Sequence, residues 1–171
     1  VGEQPPGSGF NPNLSPVHRG GSTYITGTNG KTSTAHALAQ ALTTLGYNPY
    51  VQGTLNSSLT TPDCLVTYQA MQQHEAAGGT HFIMEVSSHG IDQDRIYGIQ
   101  FAIKALTNIT LDHLDYHGTM QDYAAAKKRL FSEVLPENGV AVLNADIPEY
   151  NDFRAAAEHH GRKILTYGHK G

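Results

Sequence analysis

The strongest local indication of the fold is residues 23–32, Thr-Tyr-Ile-Thr-Gly-Thr-Asn-Gly-Lys-Thr. Thr23–Thr26 is a short β-rich run, and the apolar residues that follow the stretch recur at helical spacing. They are Ala35, Leu38, Ala39, Leu42 and Leu45, after which Gly46 ends the predicted helix. A strand, a glycine loop and a helix in this order predict an anion-binding junction. Glycines let backbone N–H groups surround an anion, and the helix N-terminus adds partial positive charge.

The loop carries two further residues that suit a nucleotide. Lys31 is predicted to reach the β- and γ-phosphates, and the Thr32 hydroxyl is predicted to ligate Mg²⁺. Ile25 stands where the full phosphate-loop pattern has its first glycine. The alternative is a plain glycine turn with a solvated Lys31. A cation at a helix N-terminus is unfavourable by roughly 0.3–1 kcal/mol, so the position favours an anion nearby. The absence of an Asn-Lys-x-Asp motif disfavours a GTPase.

Strands and helices continue to alternate along the rest of the chain. The pattern predicts strands at 49–53, 81–86, 101–107, 139–143 and 163–167, and helices at 64–77, 119–134 and 147–160. Asn144, Asp146 and Pro148 are expected to start the last helix. This order predicts an α/β fold of the P-loop type, with a mostly parallel sheet and helices on both faces. Residues 1–21, rich in glycine and proline, are predicted to be a linker or poorly ordered lead-in, and residues 22–171 one domain.

Composition narrows the class of protein. Of the 171 residues, 39% are hydrophobic and 15% charged, which is typical of a globular domain. The net charge of −4 argues against nucleic acid as a partner. A single cysteine, Cys64, suits a reducing compartment. No run reaches the ~18 apolar residues that a membrane helix needs, so we expect a cytoplasmic protein without a membrane partner. Because the chain starts at Val1 rather than Met, we expect that upstream sequence is missing.

A carboxylate follows the apolar run Phe82–Met84. Ligands collect at the carboxyl ends of parallel strands, where Glu85 could hold Mg²⁺. The alternative is a solvated residue at a strand end. The small polar turn predicted at 86–90 and the phosphate loop upstream favour the metal role.

Residues 107–118 follow another strand and are rich in metal-ligand types, including Asp112, His113, Asp115 and His117. Their position points to the same crevice. His113 could contact a metal or a phosphoryl oxygen, although a structural or merely exposed histidine is equally compatible with the pattern.

Lys127 interrupts the apolar stripe of the helix at 119–134. The stripe consists of Tyr123, Ala124, Leu130, Phe131 and Val134. A buried ammonium is costly and tends to lose its proton, and the neutral amine could then take up CO₂ to give a metal-binding carbamate. Periodicity alone favours the other interpretation, in which the stem packs on the core and the head reaches water.

The motifs together resemble the central domain of the Mur ligases from about Ser22 to the end of the chain. Within that family the resemblance is strongest to the branch that extends UDP-MurNAc-dipeptide by one amino acid. The motifs are 27–32 (Gly-Thr-Asn-Gly-Lys-Thr), 60–62 (Thr-Thr-Pro), 85–90 (Glu-Val-Ser-Ser-His-Gly), Gln93-x-Arg95, 112–118 (Asp-His-Leu-Asp-Tyr-His-Gly) and 125–127 (Ala-Ala-Lys).

The resemblance implies a role for each matched residue. ATP would be bound by Gly27, Thr28, Asn29, Gly30, Lys31, Thr32 and Ser33. UDP-MurNAc-dipeptide would be held by Thr60, Thr61, Ser87, Gln93 and Arg95. Mg²⁺ would be held by Thr32, Glu85, His113 and a CO₂-derived carbamate on Lys127, which reverses the preference from periodicity. The implied catalytic residues are Lys31, Asn108, His113 and Lys127.

The implied reaction has two steps. The D-Glu carboxylate of the substrate attacks the γ-phosphate of ATP, giving an acyl phosphate and ADP, and an amino acid amine then displaces phosphate. The family's C-terminal Asp-Asn-Pro-Arg motif is absent, and Tyr167-Gly168 falls before its central domain ends. We therefore expect missing N- and C-terminal ligase domains, an incomplete sheet and no turnover by this chain alone.

Two other functions fit the pattern less well. A folylpolyglutamate synthase-like ligase is disfavoured by residues 86–90 together with Gln93 and Arg95. A stand-alone nucleotide-binding or assembly module that keeps the fold without ligase turnover remains the alternative.

Overall fold

The computed structural model describes residues 21–110, 118–133, 139–158 and 163–169. The strands are β1 (Ser22–Thr26), β2 (Pro49–Gln52), β3 (His81–Val86), β4 (Ile103–Leu106), β5 (Val140–Asn144) and β6 (Lys163–Tyr167). The helices are α1 (Lys31–Thr44), α2 (Cys64–Ala76), α3 (Ser88–Asp92), α4 (Met120–Ser132) and α5 (Tyr150–Glu158). The strands form one sheet in the order β2-β3-β1-β4-β5-β6, and every described pair is parallel. The predicted α/β fold is therefore confirmed.

Apolar side chains cover both faces of the sheet. Successive residues of a strand point to opposite faces, so Tyr24 and Ile25 of β1 enter different cores. Ile25 packs with Ile83 and Ala35 beneath α1. The larger core contains Tyr24, and it receives apolar residues from α2, α4 and α5: Met71, Tyr123, Leu130, Phe131, Phe153 and Ala157. Helices therefore cover both faces of the sheet, as the alternation predicts, and a ligand can approach at the strand ends.

Two local predictions, at residues 86–90 and at Leu45, differ from the structure. The turn predicted at 86–90 is wrong, because the Ser87 hydroxyl accepts a hydrogen bond from Gly90 N at 3.1 Å and starts the short helix α3. Leu45 does not belong to the buried stripe of α1. The helix ends at Thr44, and the Leu45 side chain is 73% exposed.

The last helix begins three residues later than its predicted start at 147. The Asp146 carboxylate accepts hydrogen bonds from the backbone N–H of His169 at 2.9 and 3.1 Å, so it does not cap a helix that starts nearby. Asn144 is also engaged, because its Oδ1 accepts from Asp146 N at 2.9 Å. Residues 159–162, which include the predicted end of this helix, lie outside the described residues.

The strand order places one crevice at the centre of the sheet. β1 lies between β3 and β4. After β1 the chain forms β2 and β3 on one side of β1, and it then crosses to the other side to form β4, β5 and β6. Ligands bind at such reversals, outside the carboxyl ends of the strands. The loop at 27–30, the end of β3 and residues 107–110 all lie at this crevice.

In the described part of the chain, no helix has both the length and the apolar character to cross a membrane. The predicted linker lies outside the described residues, except for Gly21.

Candidate nucleotide and metal site

The loop after β1 needs glycine at two positions. Gly27 has φ 144°, and a Cβ there would lie 1.9 Å from Thr107 Oγ1. Gly30, with φ 83°, is the N-cap of α1 and offers no side chain to the first N–H groups of the helix. A helix start that its cap residue leaves uncovered in this way suits an anion.

Residues 107 and 108, which follow the neighbouring strand β4, form hydrogen bonds with this loop. Asn108 O accepts from Thr28 N at 3.0 Å, and Asn108 Oδ1 accepts from Asn29 N at 2.9 Å. The Asn29 carbonyl accepts from Asn108 Nδ2 at 3.1 Å and from Thr107 Oγ1 at 2.7 Å. Asn108, predicted to be catalytic, thus holds residues 28 and 29 of the loop through hydrogen bonds.

Lys31 folds back over the loop. Its ammonium donates to Gly27 O at 2.9 Å and to Thr28 O at 3.0 Å. The ammonium therefore lies at the loop and is not merely a solvated group, while Ser33 lies exposed on the first turn of α1.

The Thr32 hydroxyl and the Glu85 carboxylate meet at the mouth of the crevice. Thr32 Oγ1 donates to Glu85 Oε2 at 2.7 Å, although the two residues are 53 positions apart. Glu85 is fully buried, so the alternative of a solvated strand-end carboxylate is wrong. Thr54 supplies two more donors, from its N–H to Oε1 at 3.2 Å and from its hydroxyl to Oε2 at 3.3 Å. Three donors offset much of the hydration that the buried carboxylate loses.

These oxygen atoms suit Mg²⁺. The ion prefers oxygen ligands and usually takes one or two carboxylates, with phosphate oxygens and water filling the other positions. Thr32 and Glu85 supply a hydroxyl and a carboxylate at hydrogen-bonding distance from each other. Within the described ranges, no group of three or more His, Cys, Asp or Glu side chains converges on a position that could hold a metal ion. His113 and its neighbours 111–117 lie outside the described residues.

Lys127 lies under the phosphate loop. Its side chain is 1% exposed, so the interpretation in which its head reaches water is wrong. The Lys127 Nζ donates to Gly27 O at 3.3 Å and sits 4.6 Å from the centroid of the Tyr123 ring. The Tyr123 hydroxyl in turn hydrogen-bonds Thr28 Oγ1 at 2.9 Å. Helix α4 therefore contacts the loop through both residues.

The residues predicted to bind the peptide substrate lie together on the other side of Glu85. Thr61 Oγ1 accepts from Ser87 N at 2.9 Å, and Thr61 O accepts from Arg95 Nη1 at 3.1 Å. Arg95 also donates to Gln93 Oε1. Thr60 reaches Thr54, with 3.1 Å between their hydroxyl oxygens. Four of the five predicted residues thus connect through Thr61 and Arg95, and Thr60 is linked to Glu85 through Thr54.

Sequence reasoning missed three residues that shape this crevice. Thr54 follows the end of β2 and could have been found as a small polar residue at a strand end. Tyr123 was assigned only to a core stripe. Tyr167 gave no local signal, yet its hydroxyl donates to Leu106 O at 2.9 Å and Thr107 O at 3.1 Å. Burial raises the pKa of Tyr167, which keeps this hydroxyl protonated as a donor.

Comparison with known proteins shows which proteins the chain is similar to. Residues 25–171 match the model of the Mur ligase middle domain. A relative from Caulobacter vibrioides, named UDP-N-acetylmuramoyl-L-alanyl-D-glutamate–2,6-diaminopimelate ligase, is 41% identical over 162 residues, covering 86% of this chain and 33% of that protein. A relative of the same name from Anaplasma marginale is 42% identical over 155 residues, covering 84% of this chain and 32% of its own length.

A solved structure of a ligase with that name is also similar. It is 35% identical with a TM-score of 0.75, and the match covers 85% of this chain and 31% of the solved chain. The chain spans about a third of the length of the curated relatives that it matches.

Proposed function

The chain belongs to the Mur ligase family as a middle domain, and from this we propose that it is the ATP-binding core of a MurE-like ligase. The ligase would add an amino acid to UDP-MurNAc-L-Ala-D-Glu during peptidoglycan precursor synthesis in the cytoplasm. Both named relatives are diaminopimelate ligases, which makes 2,6-diaminopimelate our proposed amino acid. The observation that carries the proposal is the meeting of Thr32 and Glu85 at 2.7 Å beside the Lys31 loop.

The phosphate loop would hold the triphosphate of ATP. The backbone N–H groups at the start of α1 would surround the phosphates, and Lys31 lies over the loop that precedes the helix. To bind phosphate, the Lys31 ammonium would leave the carbonyls of Gly27 and Thr28 for the more strongly attracting anion. There it would offset the repulsion between the triphosphate and the substrate carboxylate, which must approach each other in line.

Thr32 and Glu85 would hold Mg²⁺, with His113 as a further proposed ligand. The bound ion would neutralise charge on the phosphate oxygens during phosphoryl transfer. Asn108 would keep the wall of the phosphate loop in place through its two hydrogen bonds to Asn29.

Lys127 is proposed to carry a carbamate. Its neutral amine nitrogen would bond to the carbon of CO₂ and lose one proton to solvent, leaving a carboxylate that can serve a metal. The burial of Lys127 next to Gly27 supports this, because burial disfavours the ammonium form. Labelled bicarbonate should give a carbamate NMR signal that Lys127→Arg removes and the half-buried neighbour variant Lys128→Arg retains. A signal that survives Lys127→Arg would contradict the assignment.

The polar group around Thr61 would face the muramoyl peptide. Thr60, Ser87, Gln93 and Arg95 surround it, and the Arg95 guanidinium supplies a positive charge suited to an anionic peptide. Because the chain spans about a third of its relatives, we propose that N- and C-terminal domains supply the uridine and amino-acid sites.

Nucleotide titration tests the proposal directly. The wild type should bind ATP with an affinity that rises when Mg²⁺ is added, and Lys31→Ala should lose that affinity. Lys163→Ala, an exposed lysine at the start of edge strand β6, is the matched control. Equal affinities for wild type and Lys31→Ala would overturn the assignment of the phosphate loop.

Turnover separates the ligase from its alternative. ADP release should appear when the chain is joined to the N- and C-terminal domains of a relative and given UDP-MurNAc-dipeptide and 2,6-diaminopimelate. Tight nucleotide binding without ADP release under those conditions would instead favour a nucleotide-binding module.

A further inference from the structure

Thr54 lies between the carboxylate proposed for Mg²⁺ and the residues proposed for the peptide substrate. Its backbone N–H donates to Glu85 Oε1 at 3.2 Å, and its hydroxyl donates to Glu85 Oε2 at 3.3 Å. The same hydroxyl oxygen is 3.1 Å from Thr60 Oγ1. We infer that Thr54 is a positioning residue that orients Glu85 for Mg²⁺ and links the metal site to the peptide site. This inference rests on the proposed function.

The direction of these hydrogen bonds follows from the donors available. An ionised carboxylate only accepts, so the single hydroxyl hydrogen of Thr54 is committed to Glu85. Thr60 must then be the donor in the contact between the two threonines. The three residues form a directed chain, in which the Thr60 hydroxyl donates to Thr54 and the Thr54 hydroxyl donates to Glu85.

Thr54 holds both oxygens of the Glu85 carboxylate, whereas Thr32 holds one. When Thr32 and Glu85 turn their lone pairs to a cation, the hydrogen bond between them must be given up. Among the donors of the described residues, the two of Thr54 then still hold the carboxylate. Gly53 leaves room for the carboxylate in this orientation, because a Cβ at residue 53 would lie 2.2 Å from Glu85 Oε1. Partners that orient a metal ligand in this way typically change metal affinity about 10–100-fold when removed.

The link to Thr60 has a consequence for substrate binding. A peptide substrate that accepts the Thr60 hydroxyl hydrogen removes this donor from Thr54 and so changes the hydrogen bonding of Thr54 directly. The metal site and the peptide site would therefore affect each other through Thr54, and by linkage the effect is the same in both directions.

The test uses the Mg²⁺ dependence of ATP affinity, measured as the ratio of Kd in excess chelator to Kd in Mg²⁺. Thr54→Val keeps the shape and the backbone donor but removes the hydroxyl, and should lower the ratio about tenfold. Thr54→Ser restores the hydroxyl and should restore the ratio. Thr43→Val, which removes a hydroxyl bonded to Ala39 O far along α1, should leave it unchanged.

The outcomes separate this inference from the proposed function. A wild type without Mg²⁺-dependent ATP binding overturns the proposed function, and this inference with it. A normal wild type with an unchanged ratio in Thr54→Val overturns the role of Thr54 alone. An equal loss of affinity with and without Mg²⁺, which Thr54→Ser does not repair, also overturns it and indicates a purely structural residue.

A second variant addresses the link itself. Thr60→Val leaves both Thr54 donors on Glu85 but removes the donor to Thr54. It should lower the ratio by a smaller factor, about twofold to threefold, as for loss of a single neutral hydrogen bond. A ratio equal to that of the wild type would overturn the link to Thr60.

Discussion

The two sides of Glu85 are built differently. On the nucleotide side, backbone groups make most of the contacts: residues 27–30 are bonded to residues 107–110 and lie over the buried side chains of α4. On the peptide side, a side chain of Thr60, Thr61 or Arg95 takes part in each of these contacts, and Thr60 and Arg95 are half-buried. The loop on the nucleotide side is therefore held to the packed part of the fold through its backbone, whereas the peptide side is formed mainly by side chains.

This difference has a physical basis in what each side is proposed to bind. A triphosphate is the same in every ATP-dependent reaction, and a rigid backbone cradle offers donors at fixed positions. A peptide substrate is recognised by particular side chains, which can change without altering the sheet. We therefore expect substitutions on the nucleotide side to cost stability and those on the peptide side to cost substrate affinity alone.

Gly27→Ala should have the largest effect. A Cβ at this position would lie 1.9 Å from Thr107 Oγ1 and 3.0 Å from Asn108 N and O, and φ is 144°. Backbone strain and overpacking each cost on the order of 1–3 kcal/mol, so we expect a loss of several kcal/mol in unfolding free energy. Denaturant unfolding measures it.

Gly46→Ala is the matched control, because Gly46 also has positive φ, at 86°, but no atom lies within 4 Å of its added Cβ. The free energy of unfolding of Gly46→Ala should fall only by the cost of placing alanine in a left-handed conformation, about 1–2 kcal/mol. Equal losses in the two variants would mean that the contact between residue 27 and residues 107 and 108 does not hold the loop.

Much of the nucleotide side could be predicted from the sequence, because the strand, the loop, Lys31 and Thr32 are adjacent in the chain. The sheet followed from the alternation of strands and helices for the same reason. The contact of Thr32 with Glu85 depended on the order of strands, which periodicity does not provide. The burial of Lys127 was decided by how α4 packs under the loop, and periodicity alone favoured the wrong answer.

Contacts between distant residues were the hardest to predict. Asp146 looked like a helix cap, but its carboxylate binds the backbone of His169, 23 positions away. Tyr167 stabilises the end of β4 from β6, and nothing near Tyr167 in the sequence indicates it. Thr54 became significant only once β2 was placed beside β3.

Tyr123→Phe should have a smaller effect than Gly27→Ala, since it loosens the nucleotide side without a clash. The ring remains beside Lys127, but the hydrogen bond to Thr28 Oγ1 is lost. A buried neutral hydrogen bond contributes about 0.5–1.5 kcal/mol, and unfolding in denaturant should show a loss of that size. Tyr97→Phe, at a side chain that is 78% exposed, should show almost none. A loss in both variants, or in neither, would mean that α4 does not support the loop through this hydroxyl.

Arg95→Ala should change stability least, and it tests the peptide side directly. The Arg95 guanidinium lies 4.0 Å from Asp63, whose side chain is 75% exposed, and such pairs contribute about 0–1 kcal/mol. ATP affinity should stay at the wild-type value, because Arg95 bonds to Thr61 and Gln93 and to none of the residues of the phosphate loop in the described contacts. Muramoyl-dipeptide affinity, measured calorimetrically, should fall about tenfold, as expected for losing a hydrogen bond to a charged partner. Arg154→Ala removes a more exposed arginine, 52% against 22% for Arg95, that pairs with Glu158 on α5, so it should alter neither affinity. A drop in ATP affinity in Arg95→Ala would show that the two sides of Glu85 are not separable, and a normal peptide affinity would remove Arg95 from the peptide site.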